Sequence, residues 1–304
     1  MKFGKLNSIQ NVDFTFPATP NLSQQFLDKL KPVVSSPSNV YCGATGWGTK
    51  EWLGTYYPKG TAAADYLSEY TKQFNCVELN TTHYRIPSSE QIKDWYDKSS
   101  TDFRFCPKLP QMISHSKNLG MSTNRLEHFC TVITGLKEKL GTCFMQLPPY
   151  FSPAQFDVLA QFLTEFPTDE ISLAVELRHE AWFKSPQYTR AFWDLFFEKD
   201  VSPVITDVAG RRDVLHLLLC RPQVFVRFVG NALDTTDYQR IDDWVQCLKS
   251  WISQGVQDIY FLLHQPNNIL TPEITAYFVH KMNRELSLSL KYPRKYETPQ
   301  MKLF

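Results

Sequence analysis

The sequence predicts an α/β fold in which eight parallel strands alternate with helices and close into a TIM-type (β/α)8 barrel. Short apolar runs typical of buried strands recur eight times, and amphipathic segments lie between several of them. No GxGxxG motif follows the first run, which argues against an open dinucleotide-binding sheet. The length of 304 residues suits a single barrel of about 250 residues with extensions.

The eight apolar runs begin near residues 40, 75, 103, 141, 171, 202, 224 and 258. In chain order they are VYCGA, CVELN, FRFCPK, TCFMQ, LAVELR, PVITD, VFVRF and IYFLLHQ. Most intervals are close to the roughly 30 residues that a strand and its crossover helix require. The shortest interval, between the sixth and seventh runs, leaves room only for a brief helix in RRDVLHLLLC.

Helical periodicity is clearest in TAAADYLSEYTKQF, SPAQFDVLAQFLTEF and IDDWVQCLKSWISQG, where apolar residues recur at three- and four-residue spacing. Residues 1–38 are rich in Pro, Ser and Asn, and we expect them to form an N-terminal extension that packs on the barrel. Residues 39–283 are expected to form the barrel, and residues 284–304 a C-terminal extension.

Composition restricts the class of protein. Lys and Arg number 32 against 31 Asp and Glu, so a nucleic-acid partner is only weakly supported. The seven cysteines form no CxxC motif and are expected to be reduced core residues. The first twenty residues do not resemble a signal peptide, and no uncharged apolar stretch approaches the roughly 20 residues that cross a bilayer. We therefore expect a cytoplasmic protein without a membrane partner.

Nearly every apolar run ends in an ionisable or amide side chain. The carboxyl ends of parallel strands are where an eight-stranded barrel builds its active site. Closure of the barrel would bring these side chains together in one charged mouth. The alternative is an internal salt-bridge network that only closes the top of the barrel. The strand-end residues are Glu78, Asn80, Lys108, Gln146, Glu176, Arg178, Asp207, Arg227 and His264 with Gln265.

Several chemistries are open to these residues. Glu78 and Glu176 could act as a glycosidase-type acid and base, if they lie about 5 to 9 Å apart. The same glutamates with Asp207 and His264 could bind a divalent metal, but no HxH or HExxH spacing supports this, so neither a metal nor a cofactor is assigned. Lys108 could form a Schiff base if desolvated, although nearby acids would keep it protonated.

Ligand binding is expected from cationic and aromatic side chains. Lys108, Arg178 and Arg227 could together hold a phosphate or a carboxylate. Aromatic residues follow the strands, and an aromatic floor with charged walls suits a sugar ring or another planar polar ligand. His115 and His179, on presumed top loops, are candidates for proton transfer. The expected aromatic residues are Trp47, Tyr84 and Trp182.

The same segments resemble a known family. GATGW, FNCVELNTTHYRIPS, FRFCPKLP, MQLPP and AVELRHEAWF are similar to motifs of domain of unknown function 72, also called YecE-like, from about Val40 to about Asn268. The resemblance implies a TIM-type barrel and no particular reaction. Where the family has a histidine at the end of strand seven, this sequence has Val229. The resemblance implies a shared pocket containing Glu78, Asn80, Thr82, Tyr84, Lys108, Gln146, Glu176, Arg178, Asp207 and Arg227.

We therefore expect an enzyme of unassigned reaction that binds a polar, anionic or sugar-like small ligand at the C-terminal face of the barrel. One alternative is a metal-dependent barrel enzyme acting on nucleic acid or phosphosugar, and another is a ligand-binding module without catalysis. The expected catalytic residues are Glu78, Glu176 and Asp207. The expected binding residues are Trp47, Asn80, Thr82, Tyr84, Lys108, Gln146, Arg178, His179, Trp182, Arg227 and His264.

Overall fold

A computed structural model describes residues 4–31 and 38–296. Its strands are β1 Asn39–Ala44, β2 Cys76–Leu79, β3 Arg104–Pro107, β4 Cys143–Gln146, β5 Leu173–Glu176, β6 Ser202–Asp207, β7 Gln223–Val229 and β8 Asp258–His264. They form one parallel sheet in the order β3-β2-β1-β8-β7-β6-β5-β4. The sequence prediction of eight parallel strands is therefore confirmed.

The sheet curves until its two outer strands, β3 and β4, meet. They are joined by isolated bridges instead of a continuous ladder. The Leu109 amide donates to the Phe144 carbonyl at 2.9 Å, and the Gly141 amide donates to the Phe105 carbonyl at 2.8 Å. These bonds form a seam that brings the sheet to near closure, as the prediction of a (β/α)8 barrel requires.

Helices surround the sheet. The α-helices are α1 Asn21–Leu27, α2 Tyr66–Gln73, α3 Thr81–Tyr84, α4 Ser89–Lys98, α5 Gln111–Ser114, α6 Arg125–Ile133, α7 Phe156–Glu165, α8 Ala181–Lys184, α9 Pro186–Glu198, α10 Thr235–Ser253 and α11 Thr271–Leu286. Short 3₁₀ segments lie at Lys50–Trp52, Ala63–Asp65, Thr134–Lys139, Pro153–Gln155, Ala209–Val214 and Asn268–Leu270. No helix in the described ranges combines the length and the apolar character needed to cross a bilayer.

The connection between β6 and β7 differs from the brief helix expected in RRDVLHLLLC. It contains only the 3₁₀ segment Ala209–Val214, with a kink at Arg211. Leu217 then adopts a positive φ of 46°, which is outside the right-handed helical region and cannot continue a helix. Buried leucines from this stretch fill the space under the adjacent helices, so packing overrides the local helical pattern.

The described part of the expected N-terminal extension packs against this connection. Ser23 of α1 donates its hydroxyl to the Leu217 carbonyl at 3.0 Å and accepts from the Leu219 amide at 2.9 Å. The Gly210 amide donates to the Gly4 carbonyl at 2.9 Å. Residues 32–37, just before the expected boundary at residue 38, lie outside the described residues. Residues 297–304 of the expected C-terminal extension also lie outside them.

The barrel interior contains an apolar layer below its charged end. Side chains two residues apart on a strand share a face, so one buried side of each strand points into the barrel. This layer separates the polar amino ends of the strands from their charged carboxyl ends. Its members are Cys76, Cys106, Phe144, Ala174, Val204, Phe225, Tyr260 and Leu262.

A buried ion-pair network joins the sheet to α10. Arg240 of α10 donates to Asp207 at 2.9 Å and to Asp237 at 2.7 Å. Trp244 of the same helix donates its indole N–H to Asp207 at 2.8 Å. Arg212 also pairs with Asp207. Because isolated buried carboxylates are costly, these contacts fix the position of α10 on the sheet.

We predict that Arg240→Ala lowers the free energy of unfolding by about 3–5 kcal/mol, because two buried carboxylates lose a common cationic partner. Urea unfolding followed by circular dichroism measures the change. The control is Arg190→Ala, whose exposed pair with Asp194 contributes little to stability. Equal unfolding midpoints for the two variants would show that the buried network does not stabilise the fold.

Candidate functional site

A cavity of about 670 Å³ opens at the carboxyl ends of the strands. Eight of the predicted site residues line it, and they come from six of the eight strands or from the loops that follow them. Barrel closure therefore brings together side chains that are far apart in the sequence. The predicted residues that line the cavity are Glu78, Asn80, Tyr84, Lys108, Gln146, Arg178, Arg227 and His264.

Arg227 lies between two glutamates at the base of this cavity. Its guanidinium donates to both carboxylate oxygens of Glu78, at 2.9 and 2.8 Å, and to Glu176 at 2.7 Å. All three side chains are buried. Their positions on β2, β5 and β7 make this triad an interaction across the barrel, in which one cation holds two acids from separate strands.

Glu176 accepts further hydrogen bonds at its remaining lone pairs. Arg178 donates from Nε at 2.6 Å, and Gln146 donates from Nε2 at 2.9 Å. The other end of the Gln146 amide accepts from Lys108 Nζ at 2.8 Å. A continuous chain of hydrogen bonds therefore runs from Lys108 through Gln146 and Glu176 to Arg227.

Both glutamates are held in the ionised form. Burial alone would raise the pKa of Glu78, but the adjacent Arg227 guanidinium and His264 hold it well below its ordinary value. Burial likewise opposes ionisation of Glu176, and the charges of Arg178 and Arg227 outweigh it and lower its pKa. An ionised carboxylate only accepts hydrogen bonds, so neither glutamate is poised as a general acid at neutral pH.

His264 completes the environment of Glu78. Its Nε2 lies 2.7 Å from Glu78 Oε2, which requires Nε2 to carry a hydrogen. The approach of Arg227 Nη2 to the same nitrogen, at 3.4 Å, is therefore not a hydrogen bond. Asn80 donates to the other oxygen of Glu78 at 2.9 Å, so that the carboxylate is fully surrounded by donors.

Lys108 has a different environment from the other charged groups. It is only 7% exposed, and within the described residues its ammonium donates one hydrogen bond, to Gln146, and joins no ion pair. Burial and then the charge of Arg227 lower its pKa to about 8, although Glu78 and Glu176 act in the opposite direction. At this pKa the lysine is still mostly protonated at pH 7, but the nearby acids do not outweigh burial, because Arg227 and Arg178 already neutralise them.

Thr82 and Tyr84, on the turn after β2, occupy different environments. The Thr82 hydroxyl is buried and lies 2.8 Å from the Leu79 carbonyl and 2.7 Å from the Lys108 carbonyl. It therefore joins the ends of β2 and β3 and does not line the cavity. Tyr84 lines the cavity and is 76% exposed, which places its ring at the rim.

Asp207 does not join the acids of the mouth, contrary to the sequence prediction. The inward positions of β6 include Val204 and Thr206, so Asp207 points outward to Arg240 and Trp244. The neighbouring residue Thr206 takes the place at the cavity. Its hydroxyl is buried and has no hydrogen-bond partner among the described residues.

Three other predicted binding residues lie away from the cavity. Trp182 is fully buried against the helices and donates its indole N–H to the Phe151 carbonyl at 2.9 Å. Trp47 packs edge-on against Trp95, with ring centroids 5.7 Å apart. His179 accepts from the Ala181 amide at 3.2 Å, which is a local turn contact. Aromatic character alone did not distinguish rings that pack from rings that face a ligand.

His83 lines the cavity but was not among the predicted site residues. Its Nδ1 lies 2.9 Å from the Leu109 carbonyl, so Nδ1 carries the hydrogen and Nε2 is left as an acceptor. Burial lowers the pKa of His83 to about 4, and the imidazole is neutral at pH 7. The other residues that sequence reasoning missed are Thr45, Gln111, Thr206, Val208 and Val229.

The possible metal ligands are not grouped around one point. Within residues 4–31 and 38–296, no set of three or more His, Cys, Asp or Glu side chains is arranged to hold a metal ion. Of the four candidates considered from the sequence, Asp207 lies on the outer face of β6, and the two glutamates are directed at Arg227.

The chain is similar to proteins from several bacteria. It is 29% identical over 269 residues to UPF0759 protein YecE of Escherichia coli K12, covering 83% of this chain and 94% of YecE. It is 28% identical over 155 residues to UPF0759 protein YunF of Bacillus subtilis 168, covering 49% of this chain and 54% of YunF.

Crystal structures show the same architecture. Two structures of a DUF72 family protein from Enterococcus faecalis V583 match with TM-scores of 0.64 and 0.65 at 20% identity. They cover 83% and 85% of this chain, and 99% and 100% of the solved chain; at this identity the likeness shows the fold alone. Residues 41–298 match the family described as "Protein of unknown function DUF72". Because this match spans most of the chain, the protein belongs to the DUF72 family, as its sequence motifs had indicated.

Proposed function

We propose that this protein is an enzyme that binds a small anionic ligand in the cavity at the C-terminal face of the barrel. The observation that carries the proposal is Lys108, a buried ammonium that lines an open cavity and donates one hydrogen bond among the described residues, to a neutral amide. An ammonium has three N–H donors, and leaving them without acceptors in a buried site is costly. An anionic ligand would supply the missing acceptors.

The charge of the cavity favours the same class of ligand. Lys108, Arg178 and Arg227 carry positive charge at neutral pH, and Glu78 and Glu176 carry negative charge, so the cations exceed the carboxylates by one even before His264 is considered. Arg227 is already matched by both glutamates. Arg178 is likewise paired with Glu176. Within the described residues the excess charge therefore lies on Lys108, where a carboxylate or phosphate would be bound by charge-assisted hydrogen bonds.

The dimensions and lining of the cavity suit a small molecule. A volume of about 670 Å³ falls within the range of roughly 300–1,000 Å³ that is typical of small-molecule sites. The base of the cavity is closed by the apolar layer of the barrel interior, and Tyr84 stands at its rim. The ligand would enter and leave from one side.

Catalysis, beyond binding, is supported by a group that can exchange a proton near neutral pH. Lys108, with a pKa of about 8, lines the cavity, and general acid–base catalysis needs such a group close to the reacting atoms. The imidazole of His83 lines the same cavity and, with a pKa of about 4, stays neutral and offers Nε2 as a hydrogen-bond acceptor. We assign Glu78 and Glu176 the role of holding the guanidiniums in place. This replaces proton transfer as the role proposed for them.

We predict that the wild-type protein binds a phosphate monoester or a small carboxylate and that Lys108→Met weakens this binding by about 10–100-fold. The estimate corresponds to the loss of a hydrogen bond to a charged group, about 1.5–3 kcal/mol. Isothermal titration calorimetry with a panel of such anions measures the effect. Lys108→Met should fold normally, because methionine removes a desolvated charge at similar volume.

The matched control for this experiment is Lys72→Met, which removes an exposed lysine paired with Glu69. It should bind the same anion as tightly as the wild type does. Unchanged affinity in Lys108→Met, or the absence of binding for every anion in the panel, would reject the proposed function. Binding of an anion without turnover of any bound compound would show that the protein is a ligand-binding module and not an enzyme.

We predict that the free energy of unfolding falls as the pH drops below about 4.5, the ordinary pKa of the glutamates. Both pKa values are lowered in the folded state, so the unfolded state takes up these protons at a higher pH than the folded state does. Stability present at neutral pH is therefore lost on acidification. Urea unfolding between about pH 7 and pH 3 measures the slope. Glu176→Gln should reduce the slope and the stability at pH 7, whereas the exposed variant Glu165→Gln should change neither. An unchanged slope in Glu176→Gln would contradict the assigned role.

A further inference from the structure

We infer that Lys108 is a nucleophile that forms an imine with the ligand, so that the substrate class is small carbonyl compounds bearing an anionic group, such as 2-oxo acids. The inference rests on the proposed function, because it assumes that the cavity is a ligand site. It adds a covalent step and a chemical class that anion binding alone does not imply.

Hydrogen bonds hold the backbone of Lys108 in place. Its carbonyl accepts from the Thr82 hydroxyl at 2.7 Å, and the next amide, of Leu109, donates to Phe144 across the seam at 2.9 Å. The side chain passes the ring of Phe144, with Nζ 5.9 Å from the ring centroid. The amine therefore enters the cavity from the end of β3, where backbone hydrogen bonds to the neighbouring segments set its position, as a positioned nucleophile requires.

The partner of the amine is suited to a lysine that must react. Gln146 accepts its hydrogen bond through a neutral amide oxygen, whereas a carboxylate at this place would stabilise the ammonium strongly. Gln146 is itself oriented by its hydrogen bond to Glu176, so that its oxygen faces Lys108. The amine can lose a proton without leaving a buried carboxylate unpaired.

Burial and a cationic neighbour make the neutral amine accessible. Burial and the charge of Arg227 bring the pKa of Lys108 to about 8, against an ordinary value of 10.5. About a tenth of the molecules would carry the neutral amine at pH 7, compared with less than about one in a thousand for a surface lysine. Lowering the pKa in this way is a recognised means of activating a lysine toward carbonyl compounds.

Two other groups in the cavity match the remaining atoms of such a substrate. Arg178 lines the cavity close to Lys108 along the same chain of hydrogen bonds, where it would bind the anionic group. Thr206 lines the cavity, and its buried hydroxyl has no partner within the described part of the chain. A carbonyl or hydroxyl oxygen of the ligand would satisfy it.

The proposed step balances without an oxidant or a metal. The neutral Lys108 amine attacks the carbonyl carbon, a C–N bond forms, and the carbonyl oxygen takes up a proton to give a carbinolamine. Loss of water from this adduct gives a protonated imine. In total, an ammonium and a carbonyl compound yield an iminium ion and one water molecule.

The test uses the full-length protein with glyoxylate and, separately, pyruvate, in the presence of sodium cyanoborohydride, which reduces an imine to a stable secondary amine. Peptide mapping by mass spectrometry locates and quantifies each adduct. We expect Lys108 to be labelled at least about tenfold faster than Lys72 by at least one probe, because its neutral fraction is larger. The rate should rise as the pH is raised from about 6 to about 8.5.

Control variants separate this inference from the proposed function. Lys108→Met should lose the fast adduct, and Lys72→Met should retain it. If Lys108 is labelled no faster than Lys72 by either probe, the imine inference is overturned, and the proposed function stands as long as Lys108→Met still loses anion binding in calorimetry. If the wild type also binds no anion, the proposed function falls independently.

Discussion

The buried guanidinium of Arg227 is the interaction on which the mouth of this barrel depends. It joins Glu78 of β2 and Glu176 of β5 across the interior, at a depth where none of the three charges could remain alone. Each acid then orients a second set of donors, namely His264 and Asn80 around one, and Gln146 and the neighbouring Arg178 around the other. The geometry of the whole cavity is therefore set by one cation shared between two strands that are distant in sequence.

This sharing has a chemical result. Both carboxylates are paired with guanidiniums, and within the described residues no carboxylate is left to pair with the ammonium of Lys108. If a carboxylate were instead paired with Lys108, that carboxylate would stabilise the ammonium and keep the lysine protonated. Here the carboxylates are occupied by guanidiniums, and the lysine meets an amide oxygen. The arrangement separates groups that hold charge permanently from one group that can change its charge near neutral pH, and such separation is typical of sites that carry out chemistry.

Much of the architecture was predictable from the sequence because it follows from local patterns. The eight apolar runs and their spacing determine the barrel, and strand ends determine which face carries the polar residues. Side-chain alternation groups Thr206 with Val204 and Asp207 with Ile205. Because both groups contain an apolar residue, as is usual in a parallel strand buried on both faces, the sequence does not say which of them faces the cavity. The pairing of Arg227 with both glutamates, the choice of Gln146 as the partner of Lys108, and the burial of Trp182 depend on distances between separate elements. Those distances are set by closure and packing, and no local pattern encodes them.

The seam of the barrel has a consequence for motion. Lys108 follows β3 and Gln146 ends β4, so their hydrogen bond crosses the one junction described above as held by isolated bridges. Two strands joined by few backbone hydrogen bonds separate in thermal fluctuations more readily than two strands joined by a continuous ladder. Small separations of β3 from β4 would therefore alter the basicity of the amine while the Arg227 triad, anchored on other strands, stayed rigid. The group whose charge can change near neutral pH thus lies beside the seam, where β3 and β4 share few backbone hydrogen bonds.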